Sequence, residues 1–123
     1  VLAAAKVEDD KKAEEARLRE EEAKQRRIEA KRLAYIDDRR SKVLEDVLAR
    51  LEHRDRLRIF VARLEEELAD DQGLRVSEFV AWTRKKLASA DRRLSAIGLD
   101  ELFREQNVFG SDDDRGFYPN SYW

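Results

Sequence analysis

The side chains in this 123-residue chain that could act chemically fall into four sets. They are the acidic run Asp112–Asp113–Asp114 before Gly116, the single His53, six serines, and the basic clusters of Arg and Lys. The acidic run suggests calcium, because a hard cation takes several oxygen ligands. An EF-hand loop also needs Gly at its sixth position and a bidentate Glu at its twelfth. Counted from Asp112, those positions hold Phe117 and Trp123. The pattern fails, and the acids read as solubilising charge.

His53 has no second His and no Cys to share a zinc ion with. It reads as a surface or interface residue. Ser41, Ser77, Ser89, Ser95, Ser111 and Ser121 have one His between them and no strand–turn–helix setting for a nucleophile. Neither phosphate-cradling glycine motif occurs. No catalytic residue, metal, cofactor or small-molecule substrate is therefore expected, and the chain is not expected to be an enzyme.

Nucleic acid is the next chemistry to weigh. The basic clusters are His53–Arg54–Arg56–Arg58, Arg84–Lys85–Lys86 and Arg92–Arg93. Lys and Arg gathered on one helix face can neutralise phosphates. Arg84, Lys85, Lys86, Arg92 and Arg93 are the candidates for such a face. Glu65–Glu66–Glu67 and the Asp112–Asp114 run oppose them, the net charge is −2, and the sequence pI is about 5.6. Nucleic-acid binding by an accessory module is accordingly the alternative expectation.

The elements that would position these groups are helical. Residues 6–40 carry 23 charged side chains in 35 positions, with no Gly or Pro. Their Ala, Glu, Lys, Arg, Gln and Leu are the strongest helix formers. Glu precedes a base by four residues at Glu8–Lys12, Glu15–Arg19, Glu20–Lys24 and Glu22–Arg26, an order that supports an isolated helix. Ala16, Ala23 and Ala30 recur every seven residues, yet two of the positions paired with them in a seam are Arg19 and Arg26. A coiled coil wants apolar residues at both seam positions. Residues 1–40 are thus expected to be a charged, solvated helix, acting as a spacer or a weak coiled coil.

Residues 41–106 should form a small helical bundle. Val43, Leu44, Val47, Leu48 and Leu51 make one stripe, and Leu57, Phe60, Val61, Leu64 and Leu68 a second, rotated by roughly a quarter turn. The slip falls at His53–Arg56, where no Gly or Pro breaks the chain, so one helix over about 41–70 turns its apolar face. Gly73 should follow its end. Ser77 reads as the N-cap of a helix over 77–97, with Glu78 in its first turn. Val76, Phe79, Val80, Thr83, Leu87, Ala90, Leu94 and Ile97 share one face, with Trp82 at its edge. Gly98 should stop that helix, and Asp100 should cap a short one at 100–106 ended by Asn107. Phe60, Phe79, Trp82 and Phe103 are expected in the core.

Residues 107–123 form an aromatic, acidic, turn-rich tail. It holds Phe109, Phe117, Tyr118, Tyr122 and Trp123, five of the ten aromatic residues of the chain. Aromatics are scarce in solvated tails, so this one should dock on its own helices or on a partner. Two main helices bury little apolar area, and small domains are marginal. The apolar face should therefore be completed by a protein partner or by self-association.

The expected fold is all-α: a long charged N-terminal helix, a small bundle and an irregular aromatic tail. The expected function is a non-catalytic protein–protein interaction or scaffolding module. Phe60, Val61, Leu64, Tyr118, Tyr122 and Trp123 are the partner-binding candidates. An accessory subunit of an enzyme complex is a third possibility. No apolar run approaches the roughly 20 residues of a membrane span. A cytoplasmic setting is expected. The opening Val1 and the 18 Arg against 8 Lys suggest the C-terminal part of a larger bacterial protein.

Overall fold

A computed structural model describes residues 2–68 and 74–120 of the chain. Among them the fold is all-α, with α1 at Leu2–Glu67, α2 at Arg75–Arg93 and α3 at Ala96–Gln106. The chain divides into two units. One joins α1 as far as Asp38 with the tail from Asp114, and the other runs from Arg39 to Asp113.

α1 is one uninterrupted helix of 66 residues, with no break at position 40 or at the phase slip. Neither Gly nor Pro occurs within it to end the ladder. Every described side chain from Ala4 to Glu22 is exposed. Exposed ion pairs run along the helix there. Glu14–Arg17 closes at 2.6 Å and Glu15–Arg19 at 3.7 Å.

In the first unit the tail lies along α1. The Tyr35 hydroxyl donates to the Arg115 carbonyl at 2.7 Å, and Lys31 Nζ to the Pro119 carbonyl at 3.2 Å. The Tyr35 and Phe117 rings sit 5.6 Å apart. Gly116 takes a φ of +86°, a left-handed conformation open to glycine at little cost, and this turns the backbone beneath Tyr35.

In the second unit α1 and α2 pack through Val61, Val80 and Leu87, with Leu57, Leu64 and Leu68 partly buried against them. The second stripe of α1 is thus the one its own domain covers. Of the first stripe, Val43, Val47 and Leu51 are half-buried, while Leu44 and Leu48 are exposed. Phe60, Phe79 and Trp82, expected in the core, are exposed, and Ile97 more so. Only Phe103 of those four aromatics is half-buried. Two helices give each other one line of contact, too narrow to enclose rings at the edge of the stripe.

Several expected boundaries move. α2 begins after Leu74, whose extended backbone at φ −76° and ψ 153° makes it the N-cap, and Ser77 lies in the first turn. Ser77 N–H bonds the Leu74 carbonyl at 3.0 Å, which closes the turn through the backbone. Glu78 is in that first turn, and Arg92 and Arg93 are in the last, both complementing the helix dipole. The 77–97 helix does not exist as one element. It stops at Arg93, and Ser95 caps α3, its hydroxyl accepting from Gly98 N–H at 3.2 Å and donating to the Arg92 carbonyl at 2.6 Å. Gly98 is inside α3 rather than after α2. Asp100 is inside it too, pairing with Arg104 at 2.8 Å instead of capping. Asn107 ends α3 in the left-handed region, as expected. Gly73 lies outside the described residues.

Thr83 is 1% exposed in this small core, and its hydroxyl has no hydrogen-bond partner among the described residues. An orphaned buried hydroxyl costs roughly 1–3 kcal/mol, and valine keeps its shape without it. Thr83→Val is expected to raise the urea midpoint, with a gain of about 1 kcal/mol. An unchanged or lowered midpoint would show the hydroxyl to be satisfied.

Candidate interaction surface

The two sides of the α1–α2 seam differ. Their side chains alternate by helical phase: His53 and Phe60 fall seven residues apart on one side of α1, and Phe79, Lys86 and Arg93 recur at the same spacing on α2. The opposite side is crossed by ion pairs over a smaller opening of about 260 Å³ lined by Val61, Ala62, Leu87 and Ala88. Arg58 Nη2 reaches Asp91 Oδ1 at 2.5 Å, Arg54 reaches the same oxygen at 3.4 Å, and Arg84 pairs with Glu65. The hydrogen bond from Arg58 holds the Asp91 carboxyl below its usual range against a smaller opposing effect of burial, and the same bond raises Arg58.

The other side holds a wider opening. A groove of about 500 Å³ runs between the helices. Its floor is Ala49, Leu57, Leu87, Ala90 and Leu94, and its rim carries Arg50, His53, Arg54, Lys86, Ser89 and Arg93. Among the described residues that line it, none is acidic. Arg50 is tied to Asp46 at 3.1 Å and Arg54 to Asp55 and Asp91. Lys86 lies 5.2 Å from the Trp82 ring centre. Phe60 and Phe79 meet edge to face at 6.3 Å on the same side of the seam. Both are 40% exposed, and Trp82 is 58% exposed.

Of the residues singled out as partner-binding, Phe60 therefore stands on the groove side. Val61 is buried in the core and Leu64 is half-buried against it, covered by α2 of the same chain. Tyr118 is exposed in the first unit. Tyr122 and Trp123 lie outside the described residues. The basic candidates separate likewise. Lys86 and Arg93 face the groove, Arg84 lines the smaller opening on the opposite side, and Lys85 and Arg92 are exposed and line neither.

The acids at 112–114 do more than solubilise. Asp113 is 5% exposed and accepts from Gly110 N–H at 2.9 Å and from Arg40 Nε at 2.8 Å. Beside it in the second unit, Arg39 donates to the carbonyls of Asn107 at 3.1 Å, Asp113 at 3.3 Å and Gln106. In the first unit, Asp114 accepts from Arg32 at 3.3 Å. Sequence reasoning missed this anchoring. A signal was present: Lys31, Tyr35 and Arg39 recur every four residues, which puts three tail-binding side chains along one face of α1.

No family model matches the chain, and no curated protein or solved structure is significantly similar to it. No helix among the described residues is long and apolar enough to cross a membrane.

Proposed function

We propose that this chain is a non-catalytic helical module for protein–protein interaction, with α1 as the arm that sets distance and the α1–α2 seam as the gripping surface. The observation that carries this is the apolar surface left uncovered around a very small core. Phe60 and Phe79 meet beside the groove and Trp82 stands against its rim residue Lys86, while Val61, Val80, Thr83 and Leu87 are the seam residues buried among those described. Exposed apolar patches rimmed by polar groups mark interaction sites. Aromatic anchors supply much of the binding energy where such sites are occupied.

Changing Phe60, Phe79 and Trp82 together to Ala tests the reading. The full chain, nuclease-treated and used as bait, is expected to retain a protein that the folded triple variant loses, or to self-associate above 14.5 kDa by light scattering where the variant does not. Equal behaviour of the two chains in both measurements would remove the reading. A second reading, a nucleic-acid-binding accessory module, draws on Lys86 beside the exposed Trp82, since a cation next to a stacking ring suits single strands. Binding would then weaken steeply with salt.

A further inference from the structure

We propose that the open groove between α1 and α2 receives an acidic amphipathic helix of a partner protein. This rests on the interaction-module reading and adds the chemistry of the partner. The floor is aliphatic, and Ala49 and Ala90 leave room for the side-chain ridge of a third helix. That helix would cover the half-exposed side of the seam and extend the small core. An apolar groove with polar groups confined to its rim is the setting in which helical peptides dock by i, i+3, i+4, i+7 anchors.

The rim selects the sign of the partner. Between residues 84 and 93, α2 carries five cations and one acid, Asp91, which is held on the opposite side of the seam by Arg58 and Arg54. Lys86 and Arg93 form no ion pair among the described residues, and with His53 they edge the groove. Their seven-residue spacing is two helical turns, about 10 Å. A partner helix with Glu or Asp at i and i+7 and leucines between them would meet both cations while its apolar face fills the floor.

Two other occupants fit less well. A phosphate backbone would place charged oxygens over Leu57, Leu87 and Leu94, where the floor offers them no donor. A second copy of α1 mixes acids with bases over residues 6–40, and over 41–52, where Leu44 and Leu48 are exposed, it sets Lys42 and Arg50 among its acids.

The test uses the full chain with a synthetic leucine-faced helix of about five turns flanked by Glu. The comparison probes are the same helix flanked by Lys and a single-stranded oligonucleotide. The acidic helix is expected to bind by fluorescence anisotropy and to shift the backbone amide signals of Ala49 and Ala90, and the Lys-flanked helix is not. Lys86→Glu with Arg93→Glu should weaken binding by about tenfold or more, because rim charges steer and select partners. Lys85→Glu with Arg92→Glu, the same charge change outside the groove, should alter it less than about twofold. Lys86→Ala with Arg93→Ala serves if the reversed pair does not fold. Failure of the acidic helix to bind, equal loss in both pairs, or preferential binding of the oligonucleotide at the same amides would each overturn the proposal. If the acidic helix fails while the Phe60, Phe79 and Trp82 variant still loses its protein, the groove assignment falls and the interaction reading stands.

Discussion

Gly98→Ala is expected to destabilise the second unit, although alanine is the better helix former by about 1 kcal/mol. Gly98 sits in the first turn of α3, where that helix folds back against the end of α2. A Cβ built there would collide with the Arg92 carbonyl oxygen and stand 2.6 Å from that of Arg93. Both obstacles are backbone, so no rotamer change relieves them. Accommodation requires α3 to move away, which breaks the Ser95 cap donated by Gly98 N–H. Overpacking of this kind costs roughly 1–3 kcal/mol and sometimes more, which outweighs the propensity gain. Urea denaturation of Gly98→Ala should show that loss, while Glu101→Ala, exposed on the same helix, stays within about 0.5 kcal/mol of the parent. A Gly98→Ala chain as stable as the parent would mean that α3 does not approach α2 so closely.

Asp113→Asn is expected to have the next largest effect, and one that depends on pH. Burial works to raise the pKa of this carboxyl, but the Gly110 N–H, Arg40 and Arg39 together outweigh it and hold it below the usual carboxylate range. Hydrogen bonds to charged groups contribute roughly 1.5–3 kcal/mol, and the half-exposed Arg40 places this one toward the low end. Because the folded-state pKa is depressed, the stabilisation is fully present above the unfolded value of about 4. It is lost as pH falls through the lower folded value. The stability gap between parent and Asp113→Asn should therefore be constant near neutral pH and shrink below about pH 4. Asp91 and Glu14 are also held low by arginines, but they are common to both chains and cancel in the difference. A gap that does not narrow in acid would remove the carboxylate from the anchoring of the 107–113 loop.

The all-α class and the long first helix were legible because both follow from local preferences. Sixty-six residues without Gly or Pro, rich in Ala, Glu, Lys and Arg, leave the backbone little alternative. The second stripe of α1 and the middle of the α2 stripe were legible for the same reason that amphipathic helices are, since burial on one side imposes a period near 3.6. The end of α3 at Asn107 was legible from a residue type that tolerates the left-handed region.

The join between α2 and α3 was hidden by that same periodicity. Val76 to Ile97 keeps its spacing through Leu94 and Ser95, where the helix stops, so the pattern shows no gap. Spacing reports which side chains could share a face and not whether the backbone continues. Ser95 settles it because its hydroxyl serves the end of one helix and the start of the next. Ile97, counted on the buried face, is exposed as a consequence.

By itself the sequence determined that this chain is helical and where its aliphatic seam lies, and of the tail aromatics it expected to dock, Phe117 packs on Tyr35 while Phe109 and Tyr118 stay exposed. Only the tertiary structure decided which side of the seam is crossed by ion pairs. Arg58, Asp91, Glu65 and Arg84 come from two successive helices, and their pairing depends on the rotation of α2 against α1. The same rotation leaves Lys86 and Arg93 over an open groove and turns Lys85 and Arg92 away, although all four are neighbours in the sequence. It likewise took the packed chain to show Asp113 buried against Arg40, 73 residues away. Charge written along a chain has no direction until packing orients each helix, and that is why the basic clusters were visible early and their separate roles were not.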